Sequence, residues 1–495
     1  MATAAVSETH SGIVFFTEDR AYKLKKPVDL GFLDFTTREA RERACHEEVR
    51  LNRRFAPDVY LGVADVLGPD GQVCDHLVTM RRMPSERRLS RLVENHEPVE
   101  DALRATARIL AAWHAEAPRS ARISAEGTRD ALRARWNASF DEVRPFHGGT
   151  MDRAAATEIE ELTTAFLAGR EPLFDARINA GRVVDGHGDL LATDVFCLDD
   201  GPRVLDCLEF DERLRCLDGL DDASFLAMDL ERLGAPRLAE RFVDWYTEYA
   251  ADPAPSSLRH HYVAYRAFVR AKVACLRVAQ GDPRPASDAR AFTDVALRHL
   301  RAGEVGLIIV GGLPGTGKTS LAGALADRLG CTLLSSDRIR KELASMAPED
   351  SGAAPYGTGI YTPEWSRRTY GELAERAALL LRSGENVVLD ASWTSKHERE
   401  LVSTVAVQEH ARLFALRCDA PADLTAERIR TRARTASDAD ISIAAAMSAQ
   451  AAPWPEAVTI DTGGDLARAL EQALATVRPH GAEDVWPRRP YLSPG

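Results

Sequence analysis

The chain has 495 residues, of which 45% are hydrophobic and 28% charged; this is a globular composition too long for one ordinary core, and two to four domains are expected. A formal charge of −12 argues against a broad duplex-binding surface while leaving room for a local basic cleft. No apolar run approaches the ~18 residues that span a bilayer, the start MATAAVSETH lacks the pattern of a secretory signal, and the eight cysteines are scattered without metal-ligand spacing. We therefore expect a cytoplasmic protein with free thiols and no membrane partner.

In chain order, the first predicted element is a hairpin, Gly12 to Thr17 and Arg20 to Pro27, turning at Glu18-Asp19. A helix over Thr37 to Phe55 and strands over Val59 to Leu67 and Val73 to Met80 complete a small lobe, about 1–84. Beyond the connector Arg81 to Ser85 the chain reads as helical to Arg182, with amphipathic stretches at Ala102 to Ala117 and Ala154 to Leu167. Short strands follow around Val183, Val195 to Leu198 and Arg203 to Asp206, then helices from Asp221. This helical lobe, about 85–302, ends where the helix Ser287 to Arg301 gives way to glycine.

Strands at Gly306 to Val310, Thr332 to Ser335, Val387 to Asp390, Arg412 to Arg417 and Ala457 to Ile460 then alternate with helices. That order predicts a doubly wound parallel sheet over 303–480, followed by a tail over 481–495. The fold class is two-domain, α+β and then α/β. Pro348 to Pro363, rich in Gly, Pro and Ala, is expected as a mobile loop near a substrate.

Only seven lysines stand among the 63 basic residues. An ammonium is a compact charge that fits inside a phosphate loop, where the planar guanidinium fork does not. Three lysines cluster at Lys23, Lys25 and Lys26, and Lys318 lies in Gly312-Leu-Pro314-Gly315-Thr316-Gly317-Lys318-Thr319, between an apolar strand and an apparent helix starting at Ser320. Glycines let the N–H groups of this segment turn onto phosphates, and the threonine hydroxyl can hold Mg²⁺. Gly312, Pro314, Gly315, Thr316, Gly317, Lys318, Thr319 and Ser320 are therefore candidate nucleotide-binding residues. Asp390, ending Val387-Val-Leu-Asp, is delivered to the carboxyl edge of the sheet, where it can reach Mg²⁺. Asp337 and Arg340 share a helical face beside the loop, the acid to activate a hydroxyl and the guanidinium to neutralise phosphate. Arg428, Arg430, Arg432 and Arg434 are read either as a lid over the phosphate or as a solvated helix face. This half resembles the small P-loop kinases grouped with gluconate kinase, zeta-type toxins and phage polynucleotide kinases; the resemblance implies that Asp337 serves the acceptor hydroxyl.

In the first half, His187-Gly188-Asp189 followed by Asp206 at the end of Arg203-Val-Leu-Asp resembles the catalytic loop and metal aspartate of aminoglycoside phosphotransferases. The resemblance implies that Asp189 is the base, that Asp206 carries metal, and that Glu48 pairs with Lys23 or Lys25 to position ATP phosphates. Two departures stand out. Asp194 occupies the place of the family's asparagine metal ligand, and the eleven residues before Gly12 leave little room for a full first strand and a glycine-rich phosphate cover. Together the two halves resemble a bacterial group in which an aminoglycoside phosphotransferase-like domain is fused to a P-loop domain.

These features imply an ATP- and Mg²⁺-dependent phosphotransferase for a small hydroxyl-bearing acceptor of the sugar or amino-sugar class, with two nucleotide sites. Three alternatives stay open: a first half reduced to a regulatory module, a non-enzymatic ATP sensor, and a polynucleotide 5′-end kinase.

Overall fold

In the computed structural model the described residues are 5–8, 12–29, 34–281, 285–347, 350, 357–431 and 440–477. They form two compact units. One takes in Met1–Ala156, Phe174–Ala254 and His261–Leu297, the other Thr157–Leu173, Pro255–His260 and Arg298–Gly495. The expected cut after residue 302 thus falls close to the last crossing of the chain, and the second unit also recruits two upstream segments. Their attachment is polar and specific: Ser257 Oγ donates to Gly384 O at 2.6 Å, Arg170 Nη1 donates to Glu409 O at 2.6 Å, and Arg301 pairs with Glu158.

The first unit opens with an antiparallel sheet of β1 (Ala5–Glu8), β2 (Gly12–Phe16), β3 (Arg20–Lys25), β4 (Tyr60–Leu67) and β5 (Val73–Arg81), in the order β1-β2-β3-β5-β4. The segment before Gly12 does carry a first strand, four residues long and registered Ala5 to Phe16. Thr37 caps the helix Arg38–Asn52 by accepting from Ala40 N. That helix lays Cys45 and Val49 on Ala21, Val78 and Met80 of the sheet, so the alternation of the strands is what turns Lys23 and Lys25 to a common side with Glu48.

Helices Glu100–Glu116 and Gly219–Arg232 belong to the helical part of the unit. The second is buried from Gly219 to Glu231, acids included, which is tolerable only where those acids are paired. Two short ribbons stand beside them, β6 (Val183–Asp185) with β9 (Cys216–Asp218), and β7 (Val195–Leu198) with β8 (Gly201–Val204). The expected strand over Arg203 to Asp206 ends earlier, at Val204, and Asp206 sits in the left-handed region at φ 66°.

In the second unit β10 (Gly306–Gly311), β11 (Thr332–Ser335), β12 (Val387–Asp390), β13 (Arg412–Asp419) and β14 (Val458–Asp461) form a parallel sheet ordered β11-β12-β10-β13-β14. Strands β10 and β12 are buried throughout, as their unbroken apolar runs require of central strands. The helix Lys318–Leu329 packs Leu321, Ala322 and Leu325 with Ala469, Ala473 and Leu474 of the helix Leu466–Val477. Strand order reverses between β10 and its neighbours, which opens a crevice at the carboxyl edge. No described helix is long and apolar enough to cross a membrane.

Candidate active sites

At that edge the chain leaves β10 through Gly312, Gly315 and Gly317, with φ of 146°, 84° and 83°. A Cβ on Gly315 would lie 2.6 Å from Thr425 O, so glycine is needed there both for its backbone and for its lack of a side chain. The helix starts at Lys318, leaving its first N–H groups facing the loop. Thr462, just beyond β14, donates to Thr316 O at 2.6 Å and to Asp419 O at 2.8 Å, tying the loop to two strand ends.

Thr319 Oγ1 donates to Asp390 Oδ2 at 2.8 Å. Asp390 Oδ1 is buried without a hydrogen-bond partner, with the Ser335 side chain beside it. Burial raises the Asp390 carboxyl above the usual carboxylate range, while Lys318 and Thr319 act against the rise. An orphaned carboxylate oxygen next to a threonine hydroxyl fits a hard divalent cation. Arg428 is held by Thr462 O at 2.9 Å, and its Nη1 is buried and unpartnered near Gly317. Arg430 carries only a weak bond to Ala426 O, and Arg432 and Arg434 lie outside the described residues.

Two cavities meet here. One, of about 520 Å³, runs along the phosphate loop past Ser320 to Arg428, Thr462 and Leu466. The other, of about 330 Å³, is bordered by Pro314, Arg340, Tyr370, Ser392 and Glu398. Lys318 and Asp337 line both. Arg340 is 6% exposed; its Nη1 donates to Ile360 O at 2.9 Å, its guanidinium lies 5.0 Å from the Tyr361 ring, and its Nε has no partner. The segment expected as a substrate loop contributes Gly357, Tyr361 and Pro363 to this cavity; 348–349 and 351–356 lie outside the described residues.

In the first unit, Lys23 Nζ bridges Glu48 Oε1 and Asp206 Oδ1, each at 2.9 Å. Lys25 is 1% exposed and pairs with Glu48 Oε2 at 2.6 Å and with Glu209. The two lysines on one strand face thus have different settings: Lys23 reaches Asp206, whereas Lys25 is enclosed by acids. Burial opposes the charge on each, yet their acidic partners raise both above the usual lysine range. Lys23 holds the Asp206 carboxyl down to about 2 against burial. Tyr60 Oη and Asn52 Oδ1 accept from the N–H groups of Asp206 and Cys207, which secures the left-handed turn.

Asp189 lies 3.7 Å from Arg270, and burial raises its carboxyl despite Arg270 and His187. Asp194 is pushed up further, by burial first and then by Asp206, Asp189 and Asp229. Asp206 itself stays low because Lys23 pairs with it, and among the described residues no group of three or more His, Cys, Asp or Glu side chains is arranged to hold a metal ion. Behind the loop, buried Asp222 accepts from His187 N at 2.7 Å, Gly188 N at 2.8 Å and His114 Nε2 at 3.0 Å.

Asp222, Thr462 and Glu398 were not singled out from the sequence. Thr462 and Glu398 each follow a parallel strand toward its carboxyl edge, a position that marks them once the strands are assigned; Asp222 carries no comparable signal, because a helical acid usually faces solvent.

Residues 307–454 match the AAA domain family. Over 468 residues, 94% of this chain and 94% of the other protein, the chain is 42% identical to the uncharacterized protein Rv2004c of Mycobacterium tuberculosis, and equally to Mb2027c of Mycobacterium bovis. Among solved structures it is similar to a sugar kinase from Janibacter (TM-score 0.29, 20% identity, 36% of this chain and 99% of that one). It is also similar to a choline/ethanolamine kinase family protein from Mesorhizobium loti (TM-score 0.38, 15% identity, 61% and 88%) and to APH(2″)-IIia, solved with GDP and kanamycin (TM-score 0.38, 15% identity, 58% and 90%). The chain belongs to the family of the two mycobacterial proteins.

Proposed function

We propose that the P-loop unit is a cytoplasmic phosphotransferase that moves the γ-phosphate of ATP to a hydroxyl of a small acceptor, of the sugar or amino-sugar class. The observation that carries this is the meeting of the two cavities at Lys318 and Asp337. Nucleotide occupies the larger one, with Lys318 and the loop N–H groups on its phosphates and the unpartnered Arg428 Nη1 adding positive charge. Thr319 and Asp390 would hold Mg²⁺, which when bound neutralises phosphate charge and orients the β- and γ-oxygens. Asp337 takes the proton of the acceptor hydroxyl as its oxygen bonds to the γ-phosphorus and the bond to the β-phosphate oxygen breaks, releasing ADP. Arg340 borders the acceptor.

Transfer of labelled γ-phosphate across amino sugars, sugar acids, nucleotides and oligonucleotides tests this. In an Asp189→Asn background, which silences the first unit, Lys318→Ala should remove transfer, and Asp337→Asn should lower kcat by about 10²- to 10⁴-fold with nucleotide affinity retained. Unchanged transfer by Asp337→Asn overturns the assignment.

For the first unit we propose a second ATP site: Lys23 for the phosphates, Glu48 to position it, Asp189 as base, and Asp206 with Asp194 for Mg²⁺. The bridging of Glu48 and Asp206 by Lys23 supports it. Mg²⁺-dependent ATP binding should persist in Lys318→Ala and be lost on adding Asp206→Ala; no residual binding in Lys318→Ala would leave this unit a regulatory module.

A further inference from the structure

The acceptor cavity holds a second carboxyl besides Asp337. Glu398 sits in the first turn of the helix Lys396–Gln408, eight positions beyond Asp390, and the phosphate chemistry makes no use of it. Its neighbours are committed. Tyr370 is buried beside the Glu398 carboxyl, lies 3.2 Å from Ser392 Oγ and packs edge-on against Trp393. Arg340 donates to Ile360 O and faces the Tyr361 ring, with its Nε unpartnered, and among the described residues no ion pair joins it to Glu398. Lys318, on the border with the nucleotide cavity, is directed to phosphate in the function proposed above.

We infer, on the footing that the P-loop unit is a phosphotransferase, that Glu398 determines acceptor specificity: it hydrogen-bonds a hydroxyl other than the one phosphorylated and selects against acceptors carrying an anionic group. Three observations bear on this. The cavity, about 330 Å³, lies at the small end of ligand sites, which suits a monosaccharide better than a nucleotide. Its polar lining is mostly hydroxyl, with Ser366, Thr394 and Ser395 added to Ser392, a surface for pairing with alcohols. Among the described residues Glu398 has no ion-pair partner, so an anionic acceptor group set against it would bring like charges side by side.

Glu398 also gives the selection a pH dependence. Burial raises its carboxyl to about 7, with Arg340, Tyr370 and Arg399 acting against the rise; Asp337 and Lys318 are the other charged groups of the cavity. Below neutrality the protonated carboxyl donates to an acceptor oxygen and tolerates an anion. Above it the carboxylate accepts from a hydroxyl and repels one.

The test uses the full-length protein with Mg·ATP and three acceptors of one size: glucose, glucosamine and gluconate. Binding is measured by calorimetry with a non-hydrolysable ATP analogue, and turnover by ADP release. At pH 8 the wild type should prefer both sugars over gluconate by about tenfold or more, and the preference should narrow at pH 6. Glu398→Gln should lower the gluconate KM by about tenfold at pH 8 and flatten the pH dependence of the preference. Tyr370→Phe, which removes a hydroxyl that favours the charged carboxyl, should move the midpoint of the preference to higher pH. An unchanged preference and pH profile in both variants, a wild type that favours gluconate, or no binding of any of the three overturns the inference. Transfer that survives in Lys318→Ala and Asp337→Asn, each made in an Asp189→Asn background that silences the first unit, would instead remove the phosphotransferase assignment itself.

Discussion

Asp222→Asn isolates what holds the His187-Gly188-Asp189 loop in place. The carboxylate is fully buried and accepts three hydrogen bonds, from the backbone N–H groups of His187 and Gly188 and from the His114 ring. Burial resists its ionisation, yet His114 and then His187 hold it down to about 2, against an ordinary 3.8. That depression corresponds to roughly 2 kcal/mol of stability carried by the charged form. Because the folded value lies below the unfolded one, this stability is complete above about pH 4 and is lost as pH falls from 3.8 toward 2. Asparagine removes the charge and does more harm: its amide has one acceptor oxygen, so its NH₂ must face one of the three donors, leaving a buried N–H unmet at about 1–3 kcal/mol. The two effects overlap, and we expect a total near 3 kcal/mol. Hydrogen exchange on the full-length protein at neutral pH should show the His187 and Gly188 amides exchanging on the order of 100-fold faster in the variant. The gap in urea midpoint between wild type and variant should shrink as pH is lowered through 3.8. An acceleration below about fivefold would refute the assignment of Asp222 as the support of this loop.

The two lysines of β3 should separate by their settings. Lys25→Met takes the cation from Glu209 and from one oxygen of Glu48 in a buried site and should cost about 3–5 kcal/mol by urea denaturation. Lys23→Met, at a side chain 14% exposed, should cost less but weaken ATP binding measured in a Lys318→Ala background; the reverse order would contradict the roles proposed for them. Gly315→Ala forces a Cβ against Thr425 O at a φ of 84° and should lower stability by about 1–3 kcal/mol. It should also diminish the upward shift in Tm on adding Mg·ATP, and a variant with wild-type Tm and ATP response would show that the loop is free to relax.

The phosphate loop was legible because its function is local. Gly312 to Thr319 needs only glycines at fixed spacing between a strand and a helix, and both conditions can be read from neighbours in the chain. The central strands β10 and β12 were legible for a similar reason, since burial on both faces leaves an unbroken apolar run. The three-residue strand β9 left no such trace, being too short to show a period and flanked by helical sequence. Nor did the strand expected to reach Asp206 extend that far: bonds from Tyr60 and Asn52, about 150 residues away in sequence, bend the chain into a left-handed turn that local propensity disfavours.

What the sequence by itself determined is therefore which chemistry is present: the phosphate loop, the acids at the ends of strands, the HGD tripeptide and the rare lysines. Which of these groups meet was decided only by the tertiary structure. Lys23 and Lys25 share a strand face and were equivalent on paper, but packing gives one of them Asp206 and encloses the other between Glu48 and Glu209. Glu398 looked like any helical glutamate until Tyr370 and Arg340 closed around it. Side-chain identity is local, whereas burial, charge pairing and the resulting ionisation depend on residues brought together from distant parts of the chain.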